Sequence, residues 1–144
     1  MTEPITSFKL QYAFLSNFYV APIVAYDDVL KREIRYQTVE HAFQADKTLS
    51  VEERLTVIDS ETPRLAKAAG RCVTMRSDWE LIKVERMRYW VKLKFAQYPV
   101  LKARLVATGD AELIEGNHWG DKFWGVCDGE GQNWLGRILM QVRP

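Results

Sequence analysis

Apolar positions recur along this chain with changing period, and each change marks an element. Residues 7–19 read as strand-like and then looped, with Leu15-Ser16-Asn17-Phe18-Tyr19 ending ahead of Pro22. The runs Ile23 to Tyr26 and Glu33 to Tyr36 flank Asp27-Asp28, which predicts a hairpin. Thr38 then opens a helix. Residues four and seven apart return to one helical face, so Glu40, Gln44 and Lys47 share a stripe beside the apolar Val39, Ala42 and Phe43. Thr62-Pro63 starts, and Gly70 stops, a short helix through Leu65, Ala68 and Ala69. Ser77 and Glu80 fit a capping box for a long helix that ends before Pro99. That helix buries some combination of Trp79, Ile82, Met87, Trp90, Val91 and Phe95. A further helix runs from Pro99 to Thr108 and stops at Gly109, followed by a short strand at Leu113-Ile114. The glycine-rich stretch from Gly116 to Gln132 is loop or broken strand, and Asn133 caps a last helix carrying Leu135, Ile138, Leu139 and Val142. The pattern predicts one domain over residues 1–144, a helix-rich α+β fold with a small sheet or hairpin.

Composition agrees with a packed core: the chain has 144 residues, 47% of them hydrophobic and 12% aromatic. A formal net charge of +1 supplies no bulk field toward nucleic acid or an anionic membrane, so any phosphate recognition is local. Cys72 and Cys127 are the only cysteines, and the N-terminus lacks the basic-then-apolar pattern of a signal peptide. The expectation is a reducing, cytoplasmic setting without a disulfide framework. No apolar run is long enough to span a bilayer. Two separate histidines, His41 and His118, show no zinc spacing with the cysteines, and nothing argues for a metal or a cofactor.

The Glu40, Gln44 and Lys47 stripe carries chemistry because it sets a carboxylate, an amide and an amine beside a core-facing surface. Such a wall offers a proton donor or acceptor, a hydrogen-bonding group and a nucleophile or cation. The plainer reading is a solvated helix face with Glu40 and Lys47 as an ordinary ion pair. Residues 115–127 form a second unusual segment, in which Trp119, Phe123 and Trp124 interleave with Gly120 and Gly125. Aromatic walls suit a flat base, glycines admit close backbone approach, and Asp121 could orient a ribose hydroxyl or act as a second carboxylate. The plainer alternative is a loop plugged into the core by its indoles. Arg64, Lys67 and Arg71, with Arg76 nearby, either meet a phosphate or form a wet basic face. Trp90 reads most cheaply as core, with a pocket wall as the other option, and both cysteines read as small buried hydrophobes.

Taken together, these segments resemble the NADAR family of YbiA-type N-glycosidases, associated with NAD and ADP-ribose chemistry. The matching pieces are Phe14-Leu15-Ser16-Asn17-Phe18-Tyr19, Glu40-His41-Ala42-Phe43-Gln44-Ala45-Asp46-Lys47, Gly70-Arg71, Asp78-Trp79, Met87, and Lys94-Phe95. They continue through Ala107-Thr108-Gly109-Asp110, residues 117–125 and Asn133-Trp134-Leu135-Gly136, so the resemblance covers nearly the whole chain in order. His118 departs from the small residue usual at its position, which bears on the rim of the pocket.

The resemblance implies hydrolysis of a bond between an anomeric ribose carbon and a nitrogen. Two substrate groups fit: phosphoribosylated pyrimidine intermediates of riboflavin biosynthesis, and ADP-ribose on a guanine nitrogen, including a modified guanine in nucleic acid. Breaking such a bond requires protonating the departing nitrogen and managing positive charge at the ribose carbon. Glu40 is the acid–base candidate. Lys47 either attacks the sugar carbon and forms a Schiff base, or holds a phosphate or hydroxyl while water attacks with Asp121 as helper. Asn17, Phe18, Gln44, Arg71, Trp90, Trp119, Gly120 and Trp124 are the expected substrate-binding set. The partner expected is a small ribosyl or ADP-ribosyl molecule, with no membrane and no obligate protein partner. A rival from another class is a non-catalytic sensor of ADP-ribose or an NAD-derived nucleotide, which has no need of Glu40 or Lys47.

Overall fold

The computed structural model describes residues 2–144. In chain order the elements are a 3-10 helix (Leu10–Leu15), β1 (Ile23–Asp27), β2 (Arg32–Tyr36), α1 (Val39–Ala45), α2 (Val51–Ile58) and α3 (Pro63–Gly70). They continue with α4 (Trp79–Gln97), α5 (Pro99–Val106), β3 (Gly116–Asn117), β4 (Val126–Cys127) and α6 (Trp134–Val142). The fold is therefore α+β and helix-rich, as the periodicity predicts. It comprises two compact units, one of residues up to Ser16 with Tyr98–Pro144, the other of Asn17–Gln97.

In the Asn17–Gln97 unit, β1 and β2 form the expected antiparallel hairpin, with Ile23 opposite Tyr36 and Asp27 opposite Arg32. Its inward positions Ile23, Ala25, Ile34 and Tyr36 are buried, which fixes the register, because a one-residue slip would turn them to solvent. The turn is held by Asp27, whose Oδ1 accepts from the Val29 and Leu30 amides at 2.9 and 2.8 Å. Hydroxyl caps open three helices: Thr38 accepts from the His41 amide, Ser50 from Glu53 and Thr62 from Leu65. Each such cap contributes about 1 kcal/mol.

In the other unit, α6 packs closely on the chain before it. A Cβ on Gly136 would lie 2.0 Å from the Leu113 carbonyl oxygen, so only glycine permits the approach. Asn133 adopts a left-handed conformation (φ 55°) and makes no side-chain cap. Instead its amide bridges strandward, donating to Leu113 O at 2.9 Å and accepting from the Glu115 amide at 3.0 Å.

Several local expectations change. Residues 7–19 are not extended: Leu10 takes φ 54° and is 88% exposed, which turns the chain into the 3-10 helix that buries Phe14 and Leu15. Ile5 pairs as a single bridge to Leu113, in place of a strand at Leu113-Ile114. A helix that the pattern does not predict, α2, is capped at Ser50, whose hydroxyl accepts from the Glu53 amide, while the Ser50 amide donates to Thr48 Oγ1 and the Glu53 carboxylate accepts from Thr48 and Thr74. At the start of α4 the Asp78 carbonyl takes the first helical amides, and Glu80 pairs instead with Lys83 at 2.6 Å. Cys72 is exposed rather than buried, while Cys127 is buried.

Candidate active site

α1 is short, and every one of its residues is buried. A helix buried all round belongs to the core, so the polar groups on it must find partners inside the protein. Glu40 is 7% exposed and Gln44 is 5% exposed, which rules out the solvated-face reading for both. Gln44 Nε2 donates to Glu40 Oε2 at 2.6 Å, one turn apart, and so fixes the carboxylate. His41, on the same helix, is a structural bridge: its ring nitrogens meet Thr38 Oγ1 at 2.8 Å and the Ser60 carbonyl at 2.9 Å. A carbonyl can only accept, so Nε2 carries the proton toward Ser60 and Nδ1 accepts from Thr38. Burial lowers the His41 pKa, against the opposing pull of the Ser60 carbonyl, and keeps the ring neutral.

Lys47 is not on the helix stripe. α1 ends at Ala45, and the Lys47 amide bonds back to Gln44 O at 3.2 Å in a tightened turn. Its carbonyl is fixed from the other side by the Arg76 amide at 2.7 Å. The side chain is half-buried, and its pKa is lowered, first by that burial. Glu40 opposes the shift by favouring the ammonium, whereas Arg71, Lys67 and Lys83 reinforce it. Lysine 47 therefore titrates below an ordinary lysine, a property suited to an amine nucleophile.

The remaining groups of this unit arrive from three directions. The Asn17 carbonyl accepts from the Glu40 amide at 3.1 Å, and Asn17 Nδ2 lies 3.4 Å from Met87 Sδ, so Asn17 is locked against both α1 and α4. Phe18 is 37% exposed, with Lys67 Nζ 6.0 Å from its ring centroid. Arg71 follows α3 directly and is exposed. Glu40 thus shares a neighbourhood with Lys47, Lys67, Arg71 and Lys83, the last of which also pairs with Glu80.

Gly70 is what lets Gln44 sit there. A Cβ at position 70 would fall 2.0 Å from Gln44 Oε1, which is buried and has no hydrogen-bond partner. Gly70→Ala is expected to displace Gln44, lower stability by the 1–3 kcal/mol typical of overpacking, and reduce turnover with it. A thermal melt paired with an activity assay checks this; an alanine variant matching the parent in both would contradict the packing.

Trp90 is not a wall of this cluster. It is 2% exposed, packs edge-on against Tyr36 and Tyr89, and its indole N–H goes to Asp46. Asp121, Trp119, Gly120 and Trp124 lie in the other unit. There Asp121 clasps its own loop: Oδ1 accepts from the Phe123 and Trp124 amides at 3.1 and 2.9 Å, while Asn117 exchanges two hydrogen bonds with its backbone. Oδ1 thereby holds the loop's own backbone. Trp119 is 53% exposed and so does not plug the core, Trp124 is half-buried edge-on to Phe123, and Gly120 takes φ 89°.

Sequence reasoning missed two lysines. Lys83 sits on α4, and nothing in its local sequence ties it to Lys47. Lys94 occupies the apolar stripe of α4, is 2% exposed, and lies 5.5 Å from the Tyr19 ring centroid. Burial lowers its pKa to about 7. Its spacing from Met87 and Val91 is the available signal, since seven and three residues place it on the buried face.

The NADAR domain model matches residues 6–144. This chain belongs to the NADAR domain family. Among its relatives, a riboflavin biosynthesis protein of Vibrio vulnificus is 38% identical over 148 residues, covering 99% of this chain and 38% of that protein. The N-glycosidase YbiA of Escherichia coli is 35% identical over 135 residues, covering 92% of this chain and 80% of that protein. The solution structure of Escherichia coli YbiA superposes with a TM-score of 0.82 at 34% identity, covering 99% of this chain and 84% of that one. Among the described residues no helix is long and apolar enough to cross a membrane, and no group of three or more His, Cys, Asp or Glu side chains is placed to hold a metal ion.

Proposed function

We propose that this NADAR chain, acting as one domain over its whole length, is an N-glycosidase that hydrolyses a ribose–nitrogen bond, with Glu40 and Lys47 as the reacting pair. The observation that carries the reading is a carboxylate fixed inside the core by Gln44, next to a lysine whose amine is lowered by burial. Relatives named as N-glycosidases supply the reaction class, and relatives named for riboflavin biosynthesis favour a phosphoribosylated base. Lys67 and Arg71 beside Lys47 suit a substrate that brings negative charge, such as a ribose phosphate or a diphosphate.

The step is as follows. The free amine of Lys47 forms a bond to the anomeric carbon while the carbon–nitrogen bond to the base breaks, and the electron pair leaves with the base. Glu40 first takes the proton of the Lys47 ammonium, which frees the amine, and gives that proton to the departing nitrogen; it then takes one back from the new ammonium. Opening of the ribose ring leaves an imine on Lys47, and water adds to it to release the sugar and restore the amine. Arg71 and Lys67 meet the phosphate; Asn17 and Phe18 shape the entry to Glu40. Two free thiols, Cys72 and Cys127, accord with a reducing cytoplasm.

The test is incubation of the purified protein with a phosphoribosyl-aminopyrimidine and, separately, with an ADP-ribosylated guanine nucleotide, followed by mass spectrometry. A freed base from at least one of them is the expected result. Tight binding of ADP-ribose without release of any base would replace the enzyme by a sensor.

A further inference from the structure

Directly behind Lys47 lies a buried polar network that the glycosidase chemistry does not use. Asp46, the C-cap residue of α1, is 4% exposed. Its Oδ2 accepts from the Trp90 indole N–H at 2.5 Å and from Arg86 Nε at 2.8 Å, and its Oδ1 lies 3.5 Å from an Arg54 guanidinium nitrogen. Arg54, itself 4% exposed, also donates to Asp27 Oδ2 and to the Thr48 carbonyl, both at 3.0 Å. The Asp27 carboxylate takes a further bond from the Tyr36 hydroxyl at 2.6 Å. Burial pushes the Asp27 carboxyl up, but the bonds from Tyr36, Leu30 and Arg54 outweigh it and hold it below the ordinary value. The carboxylate is therefore ionised, and Arg54 has a fixed anchor on the hairpin.

The network thus grips both neighbours of Lys47 by different atoms: Asp46 through its carboxylate, Thr48 through its carbonyl. Lys47 itself contributes only its backbone to the clamp, to Gln44 O and from the Arg76 amide. The turn just past the helix end is tied back to α1 by one amide per residue, Asp46 to Ala42 O, Lys47 to Gln44 O and Thr48 to Ala45 O at 3.1–3.3 Å, and the side-chain anchors add the hold that those end-of-helix bonds leave weak. One side of the network opens on a cavity of about 220 Å³ lined by Tyr26, Leu49, Arg76 and Ile82 as well as the network residues, which leaves room for the turn to relax if an anchor is removed.

We propose that Asp46 and Trp90 are positioning residues for Lys47: the Trp90–Asp46–Arg86 contact, braced by Arg54, holds the turn that seats the lysine half-buried against Glu40. The inference rests on Lys47 being the reacting amine, but its geometric content does not require substrate. The groups facing Lys47 are Glu40 on α1, Lys67 and Arg71 at α3 and Lys83 on α4. Trp90→Phe removes none of them and no charge at all, so a change in Lys47 in that variant reports a change in its seat. Asp46→Asn also removes an anion, which by itself would lower the Lys47 pKa, so a rise there opposes the charge effect.

The experiment is competitive acetylation of the whole protein with acetic anhydride across pH 6–11, read lysine by lysine by peptide mass spectrometry, on the parent, Trp90→Phe and Asp46→Asn. In the parent, Lys47 should reach half-labelling at lower pH than the exposed lysines. In each variant that half-point should rise toward the exposed lysines, by about one pH unit, with a several-fold fall in relative labelling at pH 8. A lysine whose burial is undone regains the ordinary pKa, which sets the sign. Circular dichroism confirms folding, and Trp90→Phe, which keeps an aromatic ring in the core, decides the matter if Asp46→Asn does not fold. An unmoved Lys47 half-point in a folded variant overturns the proposal. Where substrate is turned over, kcat per folded molecule should fall about tenfold in Trp90→Phe with KM within twofold. Failure of the protein to release any base would sink the glycosidase reading and leave the labelling result standing.

Discussion

Glu40→Gln should fold and melt like the parent yet lose at least about a hundredfold in kcat, the scale expected when a general acid–base group is removed. Folding should survive because the change is isosteric: the new amide oxygen can still accept from Gln44 Nε2, the bond now made at 2.6 Å. Function should not, because an amide cannot pass a proton to a departing nitrogen. The comparison of melting curve and single-turnover rate separates the two. A variant with near-normal turnover would return Glu40 to the class of buried structural carboxylates and remove the centre of the mechanism.

Lys47→Arg should be as damaging for a different reason. Arginine keeps the positive charge beside Glu40, Lys67, Arg71 and Lys83, so phosphate binding and KM should change little. A guanidinium stays protonated at all accessible pH and is a poor nucleophile, so kcat should fall to background. In the parent, the rate should rise with pH as the lysine loses its proton. Because burial places that pKa below the usual 10.5, the rise should come at lower pH than for an exposed lysine. An arginine variant that remains active would assign Lys47 to charge alone and make water the attacking group.

How far the sequence reveals this arrangement depends on which residues are near in the chain. The hairpin around Asp27 and the helices opened by Thr38 and Thr62 are local patterns, and they form where the periodicity places them. Glu40 and Gln44 are one turn apart, so their pairing follows from helix geometry. The same arithmetic puts Lys47 on that stripe and fails, because the helix stops at Ala45 and the chain tightens into a turn. α2 is hard to read although Ser50 and Glu53 stand at capping spacing, because eight residues with weak amphipathicity give little periodic signal. The contacts that seat the site are the least legible. Trp90 meets Asp46 across 44 positions, and Gly70 makes room for a glutamine 26 residues earlier, neither of which leaves a trace in local pattern. Asp121 illustrates the converse: its partners Asn117, Phe123 and Trp124 are all within four residues, and its engagement by the Asn117 side chain and the Phe123 and Trp124 amides is an ordinary loop device.

The account's central claim is that the chemistry takes place on Lys47, and borohydride trapping tests it most directly. Borohydride added during turnover reduces an imine to a stable amine, so the sugar should remain on the protein and map to the peptide containing Lys47. The adduct should be absent in Lys47→Arg. Base release without any adduct, or an adduct mapping to the buried Lys94 instead, would contradict the account.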